Sequence, residues 1–167
     1  DALMDEIMKT ADKAQNPLFL FAVTLQGHGP YEADRYTDNT IGVTGDLSAS
    51  ASQALATYSQ GVAEADDALL KLMRWAKKRD RETIIVLFGD HLPPLGQTFV
   101  ESGYMPGMVA SRRAPLEVMK KEHETPLVVW SSKKGVRKTI GTISPALLPY
   151  HVLKTAGFSD PFYTGTL

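Results

Sequence analysis

The chain has 167 residues, of which 43% are hydrophobic and 22% charged, close to the average for one soluble globular domain. Its formal net charge of −1 gives no bulk electrostatic basis for binding nucleic acid or an anionic membrane surface. The chain has no cysteine, which excludes disulfides, thiolate metal sites and cysteine nucleophiles.

The first half of the chain is predicted to contain two helices separated by a strand and a long loop. Apolar residues recur with a helical period over residues 1–14, and again as one long stripe over residues 51–79. Between them, the continuous apolar run at residues 18–25 predicts a fully buried strand. Residues 27–50 are polar and rich in Gly, Asp and Thr, which predicts a long ordered loop.

The second half is predicted to add strands and helices around a Pro- and Gly-rich loop that follows residue 91. The predicted elements are a buried strand at 83–88, a helical turn at 117–121, a short strand at 125–130 and a helix at 144–157. Strands that alternate with helices indicate an α/β fold, and the helix between the first two strands implies that they run parallel. Three strands make a thin sheet, which indicates that strands are missing from this chain.

Both predicted buried strands end at a histidine beside a glycine. Gly27-His28 follows the first apolar run, and Gly89-Asp90-His91 follows the second. Because ligands in open α/β sheets bind outside the carboxyl ends of the strands, we expect His28, Asp90 and His91 to meet at one edge. A carboxylate beside a neutral imidazole suits a divalent metal.

Simpler interpretations of these residues stay open at this point. Asp90 also fits a capping residue, His91 an exposed side chain and His28 a surface turn. His123, between two glutamates, fits a solvated charged turn better than a further ligand group. No serine, threonine or lysine stands in a recognisable nucleophile setting, because the Gly-x-Ser-x-Gly elbow, the P-loop and the dinucleotide fingerprint are all absent.

The residues in this order resemble the alkaline phosphatase/sulfatase superfamily, and most of all its lipoteichoic acid synthase-like branch of phosphoglycerol transferases and sulfatases. The similar stretches are residues 17–31, 58–69, 83–91 and 143–163, and Gly89-Asp90-His91 after an apolar strand is the most specific of them. The resemblance implies an incomplete alkaline phosphatase-like sandwich of the α/β class, with parallel buried strands flanked by helices. Residues 1–167 would then be a single partial domain, the C-terminal part of the catalytic domain.

The resemblance also implies roles for three residues. Asp90 and His91 correspond to a late pair of metal ligands, and His28 corresponds to the histidine that contacts the phosphate group of the substrate. The metal is a divalent cation, with manganese favoured and zinc, magnesium or calcium open, held weakly or not at all by this chain alone. The family's catalytic threonine and an early acidic ligand precede these stretches, so no catalytic nucleophile is expected in this chain.

The function implied by the resemblance is that of one part of a metal-dependent enzyme. That enzyme would be a phosphoglycerol or phosphoethanolamine transferase, or a sulfatase, and this chain alone would be inactive. The alternative is a non-catalytic binding or scaffold module of the same fold. Expected partners are a phosphate- or sulfate-ester substrate, in some cases lipid-linked, and the N-terminal half of the domain; nucleic acid is not expected.

Assembly and location are further expectations. An incomplete sheet exposes an apolar edge or face through which two copies of this chain can form a homodimer. The parent protein is expected outside the cytoplasm, in a bacterial cell envelope or periplasm, anchored to a membrane.

Overall fold

The computed structural model of this protein describes residues 2–135 and 139–159. The helices are α1 (Ala2–Lys13), α2 (Ala49–Lys78), α3 (Gln97–Glu101), α4 (Leu116–His123) and α5 (Leu148–Ala156), the last preceded by a 3-10 turn at Pro145–Leu147. The strands are β1 (Ile84–Phe88) and β2 (Leu127–Ser131). A mixed α/β composition is therefore confirmed. The Pro161-Phe162-Tyr163 stretch of the resemblance lies outside the described residues.

The strands pair differently from the prediction. β1 and β2 form a two-stranded antiparallel sheet, with Ile84 opposite Ser131 and Phe88 opposite Leu127. The parallel pairing predicted from the crossover helix is not found in the part of the chain that the structure describes. The reason is that residues 18–25, predicted as the parallel neighbour, form no strand there.

Residues 18–25 were predicted to be fully buried, and this prediction is wrong for the structure described. Six large apolar side chains of this segment are between 43% and 83% exposed: Leu18, Phe19, Leu20, Phe21, Val23 and Leu25. A strand needs a neighbour to pair with its backbone and layers to cover its faces, and an isolated one is not stable in water. The apolar composition of the segment is therefore not accompanied by burial.

The long helix α2 forms where its apolar stripe predicts it. Ser48 precedes the helix, and its hydroxyl oxygen accepts a hydrogen bond from the backbone N–H of Ala51 at 3.2 Å, which satisfies one of the free donors of the first turn. Lys77 and Lys78 lie in the last turn, where positive charge complements the helix dipole. Among the helices described, α2 included, none has both the length and the apolar character needed to cross a membrane.

The chain divides into two compact units. Unit 1 comprises residues 1–72 and 91–123, and unit 2 comprises residues 73–90 and 124–167. The core of unit 1 consists of Leu95, Phe99 and Met105, with partly buried side chains packed around it: Tyr31, Ala54, Leu55, Tyr58 and Leu92. The interpretation of residues 1–167 as one partial domain stays a prediction.

Unit 2 is built on the antiparallel sheet. In β1 only Ile85 is buried, so the fully buried strand predicted at 83–88 is half-buried instead. In β2 the side chain of Ser131 is fully buried, and its hydroxyl donates to the carboxylate of Glu82. Helix α5 packs on both strands and ends at Gly157, whose φ of 84° is the left-handed conformation in which a glycine commonly closes a helix.

Candidate functional site

His28 lies on a turn. Three residues later, Tyr31 packs on the core of unit 1 and so anchors this turn. The backbone N–H of His28 donates to the carbonyl of Leu25 at 3.1 Å, which closes the turn. The Tyr31 hydroxyl donates to the carbonyl of Gly27 at 3.0 Å, and its ring meets that of Tyr58 edge-on at 5.7 Å between centroids. Since Tyr31 packs against the core, the position of the turn is set by α2 and the residues around it.

His91 reaches the same place from a different part of the chain. Leu92, the next residue, packs on the same core, and Leu95 is buried within it. The rings of His28 and His91 consequently lie 6.5 Å apart between centroids, with their planes at 78°. The two predicted histidines are thus brought together, but by a shared hydrophobic core rather than by neighbouring strand ends.

Both imidazole rings are held in the same way by the chain that follows them. Nδ1 of His28 lies 2.7 Å from the carbonyl oxygen of Gly29, and Nδ1 of His91 lies 2.7 Å from that of Leu92. A carbonyl oxygen only accepts hydrogen bonds, so Nδ1 is the donor in each ring. In the neutral rings the lone pair is then on Nε2, which is the nitrogen that can bind a cation or take up a proton.

Asp90 follows a closely packed strand end in unit 2. The Thr125 hydroxyl donates to the carbonyl of Gly89 at 2.6 Å, and the Gly89 N–H donates to the carbonyl of Pro126 at 3.2 Å. A Cβ on Gly89 would lie 3.1 Å from Cβ of Thr125, so a larger residue would force this contact to move. The end of β1, from which the exposed Asp90 leaves, is fixed by this packing.

The described residues do not form a complete metal centre by themselves. Within residues 2–135 and 139–159, no three His, Asp or Glu side chains are grouped where one metal ion could bind them all. Zinc takes four ligands and calcium six to eight, whereas Asp90 and His91 offer two donor side chains. The assignment of Asp90 and His91 as metal ligands, and of His28 as a phosphate contact, stays a prediction.

An open cavity of about 550 Å³ adjoins His28 in unit 1, a volume within the usual range for small-molecule sites. Its walls come from the turn, from α2 and from the segment after His91: His28, Gly29, Pro30, Tyr31, Ala54, Pro94 and Leu95. Tyr31 and Leu95 were not predicted as wall residues, because their packing partners are distant along the chain.

Gly61 lets helix α2 approach the turn closely. A Cβ on this residue would lie 2.8 Å from the hydroxyl of Tyr36 and 2.9 Å from the carbonyl oxygen of Gln26. The Tyr36 hydroxyl itself donates to that carbonyl at 3.1 Å. The sequence did carry a signal here, since an isolated glycine within a helical stripe often marks a close packing contact.

The other two histidines lie in ordinary helical surroundings. Nδ1 of His123 donates to the carbonyl of Met119 at 2.8 Å within α4, and its side chain is 64% exposed. Its distance to the carboxylate of Glu122 is 3.8 Å, which agrees with the interpretation as a solvated charged turn. The ring of His151 meets that of Tyr150 on α5 at 5.2 Å.

Comparison with known proteins gives one family match and two relatives. A family model described as Sulfatase matches residues 1–158. The "Putative cyclic beta-1,2-glucan modification protein" of Rhizobium meliloti is 62% identical over 167 residues, which are 100% of this chain and 26% of that protein. An "Uncharacterized protein" of Haemophilus influenzae is 26% identical over 102 residues, 56% of this chain and 18% of that protein. The chain thus spans at most about a quarter of these relatives, and no solved structure gives a significant match.

Proposed function

This chain belongs to the Sulfatase family of the alkaline phosphatase-like superfamily, and we propose that it is the part of a longer enzyme that holds the phosphate or sulfate group of an ester substrate. The observation that carries the proposal is the pair of imidazoles, 6.5 Å apart, each with Nδ1 donating to the carbonyl of the next residue. Two rings at this separation can both contact one small anionic group or its counter-cation placed between them.

His28 is the proposed contact to the phosphoryl or sulfuryl oxygens. With Nδ1 already donating to Gly29, the ring presents a donor to an anion only when Nε2 takes up a proton. The protonated ring then makes a charge-assisted hydrogen bond, which is stronger than one between neutral groups.

Asp90 and His91 are the proposed metal ligands of this chain. Sulfatase-family domains generally depend on a divalent metal. A carboxylate with an imidazole suits manganese or zinc, and manganese is our proposal. Such a metal, when bound, stabilises negative charge on ester oxygens and activates an oxygen nucleophile. Its remaining ligands, and the nucleophile, are proposed to come from the N-terminal half of the catalytic domain, outside this chain, so this chain alone would be inactive.

The acceptor is proposed to be a hydroxyl group of a glucan. The support is the relative from Rhizobium meliloti, which is 62% identical along this whole chain and is named for the modification of cyclic beta-1,2-glucan. The transferred group is proposed to be phosphoglycerol or phosphoethanolamine, which makes the enzyme a transferase. Location outside the cytoplasm, a membrane anchor and a homodimer of this chain stay predictions.

We further propose that residues 18–25 become a strand of a larger, parallel sheet in the complete domain. Six exposed large apolar side chains in one short segment are more than a soluble surface usually carries. The relative from Rhizobium meliloti contains about four times as much chain as the matched region, which is room for neighbouring strands.

The proposal is tested in the full-length protein that contains this chain. Initial rates are measured with manganese and either bis(p-nitrophenyl) phosphate or p-nitrophenyl sulfate, and cyclic beta-1,2-glucan is added as acceptor. His28→Ala and Asp90→Asn should each lower kcat/KM by about 100-fold or more, because each removes a contact to developing charge. The control His151→Ala should keep the wild-type rate.

Two results would contradict the proposed function. Wild-type rates in both His28→Ala and Asp90→Asn would remove these residues from the chemistry and favour a binding module. Turnover by the isolated 167-residue chain, lost in Asp90→Ala, would show that the nucleophile lies within the chain after all.

A further inference from the structure

Four backbone carbonyl oxygens of the turn that carries His28 converge on the guanidinium group of Arg35. One terminal nitrogen, Nη1, donates to the carbonyl of His28 and, at 3.0 Å, to that of Pro30. The other, Nη2, donates to the carbonyls of Leu25 at 3.2 Å and Gln26 at 3.1 Å. The four N–H groups of the two terminal nitrogens are thus matched by four acceptors.

A guanidinium is well suited to this arrangement. Carbonyl oxygens that face one another repel, and a delocalised cation between them relieves the repulsion while fixing their directions. A lysine ammonium has three donors on a single nitrogen, so it cannot reach four acceptors spread around a planar fork. The turn therefore depends on the geometry of the arginine as well as on its charge.

Arg35 is itself held by its neighbours along the chain. Its backbone N–H donates to the carbonyl of Glu32 at 3.3 Å, and its guanidinium carbon lies 5.8 Å from the centre of the Tyr36 ring. Tyr36 donates in turn to the carbonyl of Gln26, one of the four that Arg35 binds. Residues 32–36 thus hold the turn through two side chains.

We propose that Arg35 is a positioning residue, which fixes the turn at residues 25–30 and thereby sets where the His28 ring lies beside His91. This inference rests on the proposed function, because it makes the placement of His28 matter for turnover. Arg35 binds the backbone of His28 itself, so a displaced turn displaces the ring. A misplacement of about 1 Å at a reacting or binding group can lower a rate about 100-fold.

The kinetic test uses the full-length enzyme and a double-mutant cycle. Arg35→Gln should lower kcat/KM about 10- to 100-fold, and Arg35→Lys should lose less because it keeps the charge. Combined with His28→Ala, Arg35→Gln should cause no further loss, since its effect passes through the histidine. The matched control is Arg112→Gln, an exposed arginine of the same unit. Losses that multiply in the double variant, or an Arg35→Gln rate equal to that of Arg112→Gln, would overturn the proposal.

A second readout does not depend on activity. In the 167-residue chain, Arg35→Gln should shift the ring-proton NMR signals of His28 and accelerate exchange of its amide, while the His123 and His151 signals, which report the remaining fold, stay in place. If Arg35→Gln does not fold, the same shifts are sought in Arg35→Lys. Unchanged His28 signals would overturn the positioning role. If the signals shift but His28→Ala turns over at the wild-type rate, the proposed function fails and the positioning of the turn stands.

Discussion

The two apolar runs that end near His28 and His91 are alike in sequence but differ in structure. Residues 84–88 form β1, which pairs with β2 along its whole length, whereas residues 18–25 form no strand and expose six large apolar side chains. The difference is that β1 has a partner strand within the described residues. An apolar run therefore shows that a segment can form a buried strand. The segment forms one only where a partner strand is available to pair with it.

His28 and His91, which follow the two runs, nevertheless lie close together within unit 1, because a different feature positions them. Tyr31 and Leu92, close behind the two histidines, pack on the same core in unit 1. The rings consequently lie 6.5 Å apart although only one of the two runs is a strand. The two rings are thus positioned by the residues after each run, while the runs themselves differ in strand pairing and burial.

The largest expected effect concerns the two histidines that follow the runs, His28 and His91. If both histidines serve one site, His91→Ala in the full-length enzyme should lower kcat/KM by about 100- to 1,000-fold, and adding His28→Ala should cause much less than the product of the two single losses. Steady-state rates with a chromogenic phosphodiester measure this. Fully multiplicative losses would mean that the two rings act independently, which would contradict a site shared by His28 and His91.

The next effect compares the runs themselves in the isolated chain. Ile85→Ala opens a cavity under a paired strand and should lower the free energy of unfolding by about 2–4 kcal/mol. Phe21→Ala removes a side chain that is 71% exposed and should change it by less than about 0.5 kcal/mol. Urea unfolding followed by circular dichroism gives both values.

The same pair of variants in the full-length protein shows whether residues 18–25 are buried there. If residues 18–25 become a strand there, Phe21→Ala should destabilise by about 3 kcal/mol or more, as expected for a buried phenylalanine. A small effect in both proteins would contradict the proposed strand. A large effect in the isolated chain would contradict the exposed segment described here.

A smaller effect is expected at Gly61, where α2 contacts the turn that follows residues 18–25. Alanine normally stabilises a helix relative to glycine by about 1 kcal/mol. At Gly61 the added Cβ would clash with the Gln26 carbonyl and the Tyr36 hydroxyl, so Gly61→Ala should instead destabilise by about 1–2 kcal/mol. Asp67→Ala, exposed on the same helix, is the control and should stabilise by a few tenths. Thermal unfolding measures both, and a stabilised Gly61→Ala would refute the close contact.

The smallest effect concerns the sheet that the second run forms. A hydrogen bond from Ser131, followed by the charge of Lys134, holds the pKa of Glu82 below its ordinary value. A lowered folded-state pKa stabilises the fold above the ordinary glutamate pKa, and this stabilisation is lost as pH falls through the folded value. Glu82→Gln should therefore cost less than about 1 kcal/mol at pH 7, and the cost should be smaller at pH 3, below the ordinary glutamate pKa. A deficit of the same size at both pH values in urea titrations would contradict this origin.

The sequence predicted most helices and both strands of the sheet, because their patterns are local. The stripe of α2, the apolar runs at β1 and β2, and the closing Gly157 are all visible within one segment. The pairing direction, the exposure of residues 18–25 and the short helix α3 were missed, since each depends on residues distant along the chain. The same holds for the site. His28 and His91 were predicted from the residues beside them in the sequence, whereas the role of Arg35 is visible only in the four backbone carbonyls to which its guanidinium group donates.

Manganese-induced broadening of the histidine ring signals in the 167-residue chain shows whether His28 and His91 share one cation site. NMR spectra are recorded during titration with substoichiometric Mn²⁺ in the presence of inorganic phosphate. Paramagnetic broadening of the ring signals detects weak binding as well as tight binding. We expect His28 and His91 to broaden together, His151 to stay sharp, and Asp90→Asn to abolish the joint broadening. Broadening of His91 while His28 stays sharp would contradict a common site.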